Sequence, residues 1–234
     1  MIRTIFTKLS VCALLASAFV AGCNKSQQAN SPQKADIKTS TFINSSNGLT
    51  GALKENYVDF QFDYPDSWVM DPASSQDGAS NFVRVERRIA DKGGKFTQEN
   101  FAVGYFHGTG TVHGDKELMP KVAKQLEEQF AHGFSNYKFI SDGPTKLGKY
   151  SGYEFRFESV IKDTPHGTVT LWGRTMLLPN PQAGKKNGVT LVMLGSSLAT
   201  EIKSASDVGV KGQLPVILKS FKMGKDATDS DKAQ

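Results

Sequence analysis

Two segments of this chain alternate aromatic with polar residues. In the segment 57–64, Phe60, Phe62 and Tyr64 alternate with acidic and amide side chains, and the segment 153–158 repeats the pattern. A period of two is typical of a strand that buries one face and exposes the other. The chain therefore predicts β-strands that lie on a hydrophobic core.

Other apolar segments predict further strands in the same sheet. The turn signal Asp142-Gly143-Pro144 predicts that one strand ends there, and the stretch 179–188, rich in Pro and Gly, predicts a hairpin. The strands are expected at 57–64, 68–70, 82–88, 101–106, 137–140, 153–158, 169–178 and 189–194.

Helical periodicity is confined to two places. Apolar residues recur every four positions over 118–130, with Asp115 as the predicted N-cap and Gly133 at the C-terminal exit. A short second helix is expected at 214–221, where Pro215 suits the first turn. Consecutive strands with few helices predict the α+β class, an antiparallel sheet flanked by helices.

Two short motifs resemble those of PsbP-like domains. The segment 62–68 reads Phe-Asp-Tyr-Pro-Asp-Ser-Trp, which is similar to their opening strand, and 217–221 reads Ile-Leu-Lys-Ser-Phe, which is similar to their last helix. The resemblance implies an α-β-α sandwich with a non-catalytic binding or assembly role. A turn closed by an aromatic plug also explains the first motif.

The core is expected to contain the tryptophan of that motif. We predict that Trp68 packs against the sheet together with Phe62, Phe155 and Phe221.

The N-terminal residues have the layout of an export signal. Arg3 and Lys8 give a positive start, 9–20 is apolar, and Val-Ala-Gly-Cys follows at 20–23. The last four residues resemble the bacterial lipobox, which implies that 1–22 is removed and that Cys23 is acylated, palmitate included. The apolar run is shorter than the roughly 20 residues that cross a bilayer, which argues against a transmembrane anchor.

The lipobox implies a place in the cell. A bacterial lipoprotein would attach to a membrane of the cell envelope and face the periplasm. Asn24, rather than Asp, follows the cysteine. That pattern resembles outer-membrane sorting in enteric-type bacteria, so we expect the outer membrane rather than the inner one.

Composition divides the rest of the chain into three parts. Residues 23–50 are polar after the lipidated cysteine and are expected to form a flexible tether. Residues 51–223 have the size of a single α+β domain. Residues 224–234 are again polar and charged and predict a disordered tail.

Cysteine and charge exclude several function classes. The chain has 2 Cys, one in the removed segment and one at the lipid, so the mature domain has no thiol for a disulfide, a nucleophile or zinc. Lys and Arg number 28 against 23 Asp and Glu, without a basic block. A nucleic-acid partner is therefore not expected.

The Gly-rich stretch 107–115 is the candidate ligand loop. It lies between a predicted strand and a predicted helix, where backbone amides can cradle a phosphate, but its glycine spacing does not match a dinucleotide fingerprint. His107, His113 and Asp115 are residue types that bind metals, although their spacing matches no metal motif. We expect no metal and no cofactor.

Catalytic patterns are weak elsewhere. Ser196 lacks the G-x-S-x-G frame of a nucleophile elbow, and Glu154, Arg156 and Glu158 are expected to neutralise one another on a solvent-facing strand. The sequence therefore predicts that the protein is not an enzyme. It predicts a lipid-anchored binding or assembly module with an envelope protein partner. The alternative is an envelope hydrolase or a metal-binding protein with an unrecognised site.

Overall fold

The larger of two antiparallel sheets organises the fold. A computed structural model describes residues 37–228 except 72, 73, 75, 77, 92 and 93. The strands are β1 (Thr39–Ile43), β2 (Phe60–Pro65), β3 (Val69–Met70), β4 (Val83–Asp91), β5 (Gly94–His107), β6 (Lys138–Leu147), β7 (Tyr150–Thr164), β8 (Gly167–Leu178), β9 (Asn187–Ser196) and β10 (Lys222–Met223). The helices are α1 (Gly51–Glu55), α2 (Val112–Gly133), α3 (Leu214–Ser220) and α4 (Lys225–Thr228). The predicted α+β class with antiparallel strands is confirmed.

Seven strands form the larger sheet in the order β3-β4-β5-β9-β8-β7-β6. Its residues alternate between the two faces as the period-two pattern predicts. Phe157 of β7 lies opposite Gly173 of β8. A Cβ at position 173 would lie 2.0 Å from the Phe157 ring, so glycine is needed for this ring to lie flat on the sheet. The expected hairpin at 179–188 joins β8 and β9.

Helix α2 covers one face of this sheet by packing on β7 and β6. The buried cluster between the helix and the sheet contains Phe106, Met119, Ala123, Phe155, Phe157 and Leu177. The predicted N-cap is wrong, because the helix begins earlier and Thr111 is its N-cap, with a hydroxyl that accepts from the Gly114 N–H. Asp115 lies in the first turn instead.

The opposite face is covered by α3 and by a second sheet. This sheet has the order β1-β2-β10, and it was not predicted as a separate sheet. The core between the two sheets contains Phe60, Phe62, Trp68, Phe101 and Phe221 among its aromatic members.

The predicted tryptophan core is confirmed for three of its four members. Trp68 is 4% exposed and lies in the same cluster as Phe62 and Phe221. Phe155 was wrongly included, because it belongs to the cluster under α2. The alternation of side chains along β7 sends Phe155 to the other face of the sheet.

The predicted tether extends too far into the chain. Strand β1 pairs with β2 and sets Phe42 opposite Phe62, with the two rings 5.4 Å apart. Most side chains of β1 are exposed, so its polar composition resembled that of a tether although backbone pairing holds it in the sheet. The predicted signal peptide, Cys23 and the predicted tether up to residue 36 lie outside the described residues.

The domain also continues past its predicted end at 223. The Gly224 N–H donates to the Asp59 carbonyl at 2.8 Å. Helix α4 follows and buries Ala227. The polar residues 224–228 thus belong to the domain, whereas 229–234 lie outside the described part.

The predicted turn at 142–144 is wrong. Those residues lie inside β6, where Pro144 pairs with Tyr153. Because β6 is the last strand of its sheet, the missing N–H of proline is tolerated there. The chain turns instead at Gly148, whose φ is +55°.

Among the described helices, none is long and apolar enough to cross a membrane.

Candidate functional site

The three candidate residues of the predicted ligand loop have different partners and do not come together. The ring of His107 lies 3.3 Å from the Asn187 side-chain oxygen, and His113, 87% exposed, lies 3.3 Å from Glu117. Asp115 is buried and accepts from the Thr109 N–H at 2.6 Å and from its hydroxyl at 2.9 Å. Over the described part of the chain, no group of three or more His, Cys, Asp or Glu residues could hold a metal ion.

The glycines of this loop serve packing. The Gly108 N–H donates to the Lys186 carbonyl at 2.6 Å, and the Gly184 N–H donates to the Gly110 carbonyl at 3.2 Å. A Cβ at position 108 would lie 2.8 Å from both the Asp115 carboxylate and the Lys186 carbonyl. The loop is therefore fastened to the β8–β9 connection.

Ser196 also has a structural environment. Its side chain is buried, and its hydroxyl donates to the Thr97 carbonyl at 2.9 Å. The neighbouring Ser197 hydroxyl accepts from the Thr170 N–H at 3.1 Å. These bonds fasten the end of β9 to β5 and β8.

The charged row of β7 consists of Glu154, Arg156 and Glu158. Glu154 and Arg156 neutralise each other as predicted, but the prediction that the row faces solvent is wrong. Glu154 binds Arg156 at 2.8 Å and Arg174 at 2.6 Å, and the side chains of all three are 15% exposed or less. Arg156 also donates to the Ala205 carbonyl, so the segment between β9 and α3 lies against this row. Glu158 instead accepts from the indole N–H of Trp172 at 3.0 Å.

The environment of Glu154 favours its ionised form. Burial raises the pKa of its carboxyl, but the hydrogen bond from Thr145 and the positive charge of Arg174 outweigh burial and hold the pKa below its usual value. This arrangement suits a structural ion pair, since the carboxylate is already saturated with donors.

Three segments far apart in the sequence meet in an open cleft of about 540 Å³. They are the β6–β7 turn, the β8–β9 loop and the C-terminal segment. The cleft is lined by Lys149, Pro181, Gln182, Ala183, Met223, Lys225 and Asp226. Sequence reasoning missed it because no motif or spacing connects these segments.

Tyr150 and Asp226 hold the cleft together. The Tyr150 hydroxyl donates to the Asp226 carboxylate at 2.7 Å and accepts from the Met223 N–H at 2.9 Å. Lys149 binds the same carboxylate oxygen at 2.5 Å. Strand β7 is thereby fastened to the C-terminal segment through one carboxylate with two donors.

These contacts raise the pKa of Tyr150 and lower the pKa of Asp226, as their hydrogen bond predicts. Burial, followed by the hydrogen bond to Asp226, raises the pKa of Tyr150 to about 12. The hydrogen bonds from Lys149 and Tyr150 hold the pKa of Asp226 below its usual value. Asp226 is therefore an ionised carboxylate at neutral pH, and the tyrosine remains a neutral donor.

Positive charge surrounds this carboxylate. Lys149 and Lys225 line the cleft, and the charge of Lys222 also lowers the pKa of Asp226.

The cleft lies at the end of the small sheet that is remote from the start of β1. Met223 pairs with Phe60 at one end of β2, whereas Thr39 pairs with Pro65 at the other end. The distance along β2 is about 17 Å, at roughly 3.3 Å per residue. Strand β1 therefore begins at the end of the small sheet that is away from the cleft.

Comparisons with known proteins find similarity among solved structures only. No protein-family model and no curated protein matches the chain. The PsbP protein CyanoP of Synechocystis is 10% identical, with a TM-score of 0.45, and the match covers 84% of this chain and 99% of CyanoP. LpqN of Mycobacterium tuberculosis, involved in cell envelope biogenesis, is 12% identical with a TM-score of 0.45, covering 79% and 91%. The Ran-binding protein Mog1p of Saccharomyces cerevisiae is 12% identical with a TM-score of 0.41, covering 82% and 98%.

Proposed function

We propose that this chain is a bacterial lipoprotein that acts as a non-catalytic binding or assembly module in the cell envelope. The sequence Val-Ala-Gly-Cys at 20–23 supports acylation at Cys23 and attachment to a membrane. Asn24 supports a position in the outer membrane, facing the periplasm. The partner is a protein of the envelope.

The observation that carries the binding role is the cleft built on Tyr150 and Asp226. Three segments converge there on partly exposed charged side chains, with Lys149 at 65% and Asp226 at 36% exposure. Polar groups that remain accessible at a concave surface suit recognition of a ligand. In this domain they combine with an apolar wall and a rigid strand.

Several acidic and hydroxyl groups inside the domain are engaged in holding the fold. Asp115 fastens the loop before α2, and Ser196 fastens β9 to β5. Glu99 is fully buried and accepts from the N–H groups of Gln213 and Leu214 at the start of α3. A catalytic acid or nucleophile would need to reach a substrate, so these contacts favour a binding role over catalysis.

The proposed tether is shorter than the predicted range 23–50, because β1 begins at Thr39. Residues 24–36 separate the proposed lipid anchor from the described domain. A flexible chain of that length spans about 20 Å on average. The domain would therefore stay close to its membrane, which raises its effective concentration for a partner at the same surface.

Replacement of the anchoring cysteine tests this proposal. Cys23→Ser is expected to leave the protein unprocessed or soluble, whereas the parent sediments with membranes and shows acyl chains by intact mass. Crosslinking in cells, followed by purification of the anchored protein, is expected to capture an envelope protein. An unmodified Cys23 in the mature parent contradicts the anchor. Turnover of a defined substrate, abolished by one substitution that preserves folding, contradicts the non-catalytic role.

A further inference from the structure

The geometry points to the cleft as the binding site for a carboxylate side chain in an acidic segment of a partner protein. The cleft is the one lined by Lys149, 181–183, Met223 and the start of α4. This inference rests on the proposed binding function and gives the chemistry of the ligand.

The cleft already holds one carboxylate, and that carboxylate belongs to the chain itself. One oxygen of Asp226 accepts from Tyr150 at 2.7 Å and binds Lys149 at 2.5 Å. An ammonium and a hydroxyl that converge on one oxygen form a charge-assisted arrangement suited to carboxylates. Tyr150 is 7% exposed and its one hydroxyl proton is used by Asp226, so it holds Asp226 in place, whereas Lys149 is the donor that a ligand can reach.

The charges around the cleft favour an additional acid. Lys149 and Lys225 line it, Lys222 acts on the same carboxylate, and Asp226 is the acidic residue among its lining residues. Among the seven lining residues, two side chains are positive and one is negative. An acidic segment would be attracted by this excess, and complementary charge also excludes basic segments.

The remaining lining residues suit a peptide better than a bare anion. Pro181, Ala183 and Met223 give an apolar wall, and Gln182 adds an amide that can donate and accept. The volume of about 540 Å³ falls within the range of known ligand sites. The cleft is therefore large enough for the acid together with one or two neighbouring residues.

Asp226 and a ligand carboxylate would compete for Lys149. The two charged side chains are partly exposed, at 65% for Lys149 and 36% for Asp226, so a ligand can reach both. Removal of the lysine charge should weaken binding, whereas removal of the Asp226 charge should strengthen it. Opposite effects of the Lys149 and Asp226 substitutions on the affinity for the acidic ligand would identify the cleft as the binding site.

The test uses the full-length protein in detergent and two synthetic peptides. Acetyl-Pro-Leu-Glu-Glu-amide is the acidic probe, and its Gln-Gln analogue is the uncharged control; binding is measured by calorimetry. Lys149→Ala is expected to raise the Kd of the acidic peptide about tenfold and Asp226→Asn to lower it about threefold, as a competing charge pair would.

Matched controls lie at the other end of the same strand. Lys162→Ala and Asp163→Asn change the same charges near the β7–β8 turn, more than ten residues of extended chain from Lys149. Both variants are expected to bind as the parent does. A thermal melt of each variant shows whether the fold is kept.

Four results overturn the inference. They are equal binding of both peptides, an equal effect of Lys162→Ala and Lys149→Ala, equal binding of glucuronate or methyl phosphate, and no binding of the acidic peptide at millimolar concentration. In cells, a Lys149→Ala protein that still crosslinks to the partner would show that the cleft is not the binding site, and would leave the proposed function unaffected. Absence of acylation at Cys23 overturns the proposed function instead.

Discussion

Trp68 donates its indole N–H to the side-chain oxygen of Gln213 at 2.7 Å, across 145 positions of the sequence. Gln213 is the N-cap residue of α3, and its backbone N–H donates to the buried Glu99 carboxylate. The turn after β2 is thus connected to α3 and to β5. This connection fixes the layer that covers one face of the larger sheet.

Truncation of the tryptophan should therefore destabilise the domain strongly. Trp68→Ala removes a ring that is 4% exposed and leaves a cavity. The expected loss is about 3–5 kcal/mol in the free energy of unfolding. Denaturant unfolding measures it, with Trp68→Phe as the control that keeps most of the packing and loses the hydrogen bond. A Trp68→Ala variant that unfolds at the parent's denaturant midpoint would contradict this role.

The stability of the domain should depend on the charge of Glu99 about as strongly as on the ring of Trp68. Its carboxylate is fully buried, binds Arg87 at 2.9 Å and accepts two N–H groups at the start of α3. Glu99→Gln leaves Arg87 with Glu201 alone and is expected to cost about 3 kcal/mol of unfolding free energy. The control is Glu117→Gln on the exposed side of α2, which should change stability little. Similar midpoints for both variants would show that the buried pair is not needed.

The alternating pattern predicted much of the sheet, because burial of one strand face leaves a direct record in the sequence. Phe62, Trp68 and Phe221 could be assigned to the core in advance. The faces could not be assigned across strands, and Phe155 was placed with them for that reason. Which strands share a face depends on the register, and register is a contact between distant segments.

The cleft and the first strand could not be predicted for physical reasons of the same kind. β1 is held by backbone hydrogen bonds to β2, and such bonds leave no mark on its exposed Thr and Ser side chains. Tyr150 and Asp226 are 76 positions apart, and neither lies in a motif. Asp115 was predicted as an N-cap and as a candidate ligand residue, and its partners show that it organises the loop before α2.

The stability of the domain should fall in acid partly through Glu154. Its pKa is lower in the folded protein than its usual value near 4.5. A lowered pKa contributes stability that is present above the unfolded value and is lost as the pH falls through the folded value. We expect Glu154→Gln to flatten the loss of unfolding free energy below about pH 4.5, while being less stable than the parent at pH 7.

Denaturant unfolding between pH 7 and pH 3 measures this dependence. Glu158→Gln is the matched control on the same strand, where the carboxylate accepts from Trp172 rather than from an arginine. An identical pH dependence of the parent and of Glu154→Gln would show that the ion pairs with Arg156 and Arg174 do not contribute.

The stability of the domain should depend on where its N-terminal boundary is placed. A chain that begins at residue 51, the predicted boundary, lacks β1 and therefore lacks Phe42, which packs on Phe60 and Phe62. We expect this chain to unfold at a clearly lower temperature than one that begins at Ile37, because the edge of β2 loses its backbone partner and its aromatic cover. Replacement of Phe42 by Ala in the longer chain measures the ring alone, since it keeps the strand and also the buried Asn44 and Leu49 that the shorter chain lacks. Thermal unfolding followed by circular dichroism, with dye binding to exposed apolar surface, compares the three chains. Equal melting temperatures for the chains that begin at 37 and at 51 would show that β1 adds nothing to the stability of the domain.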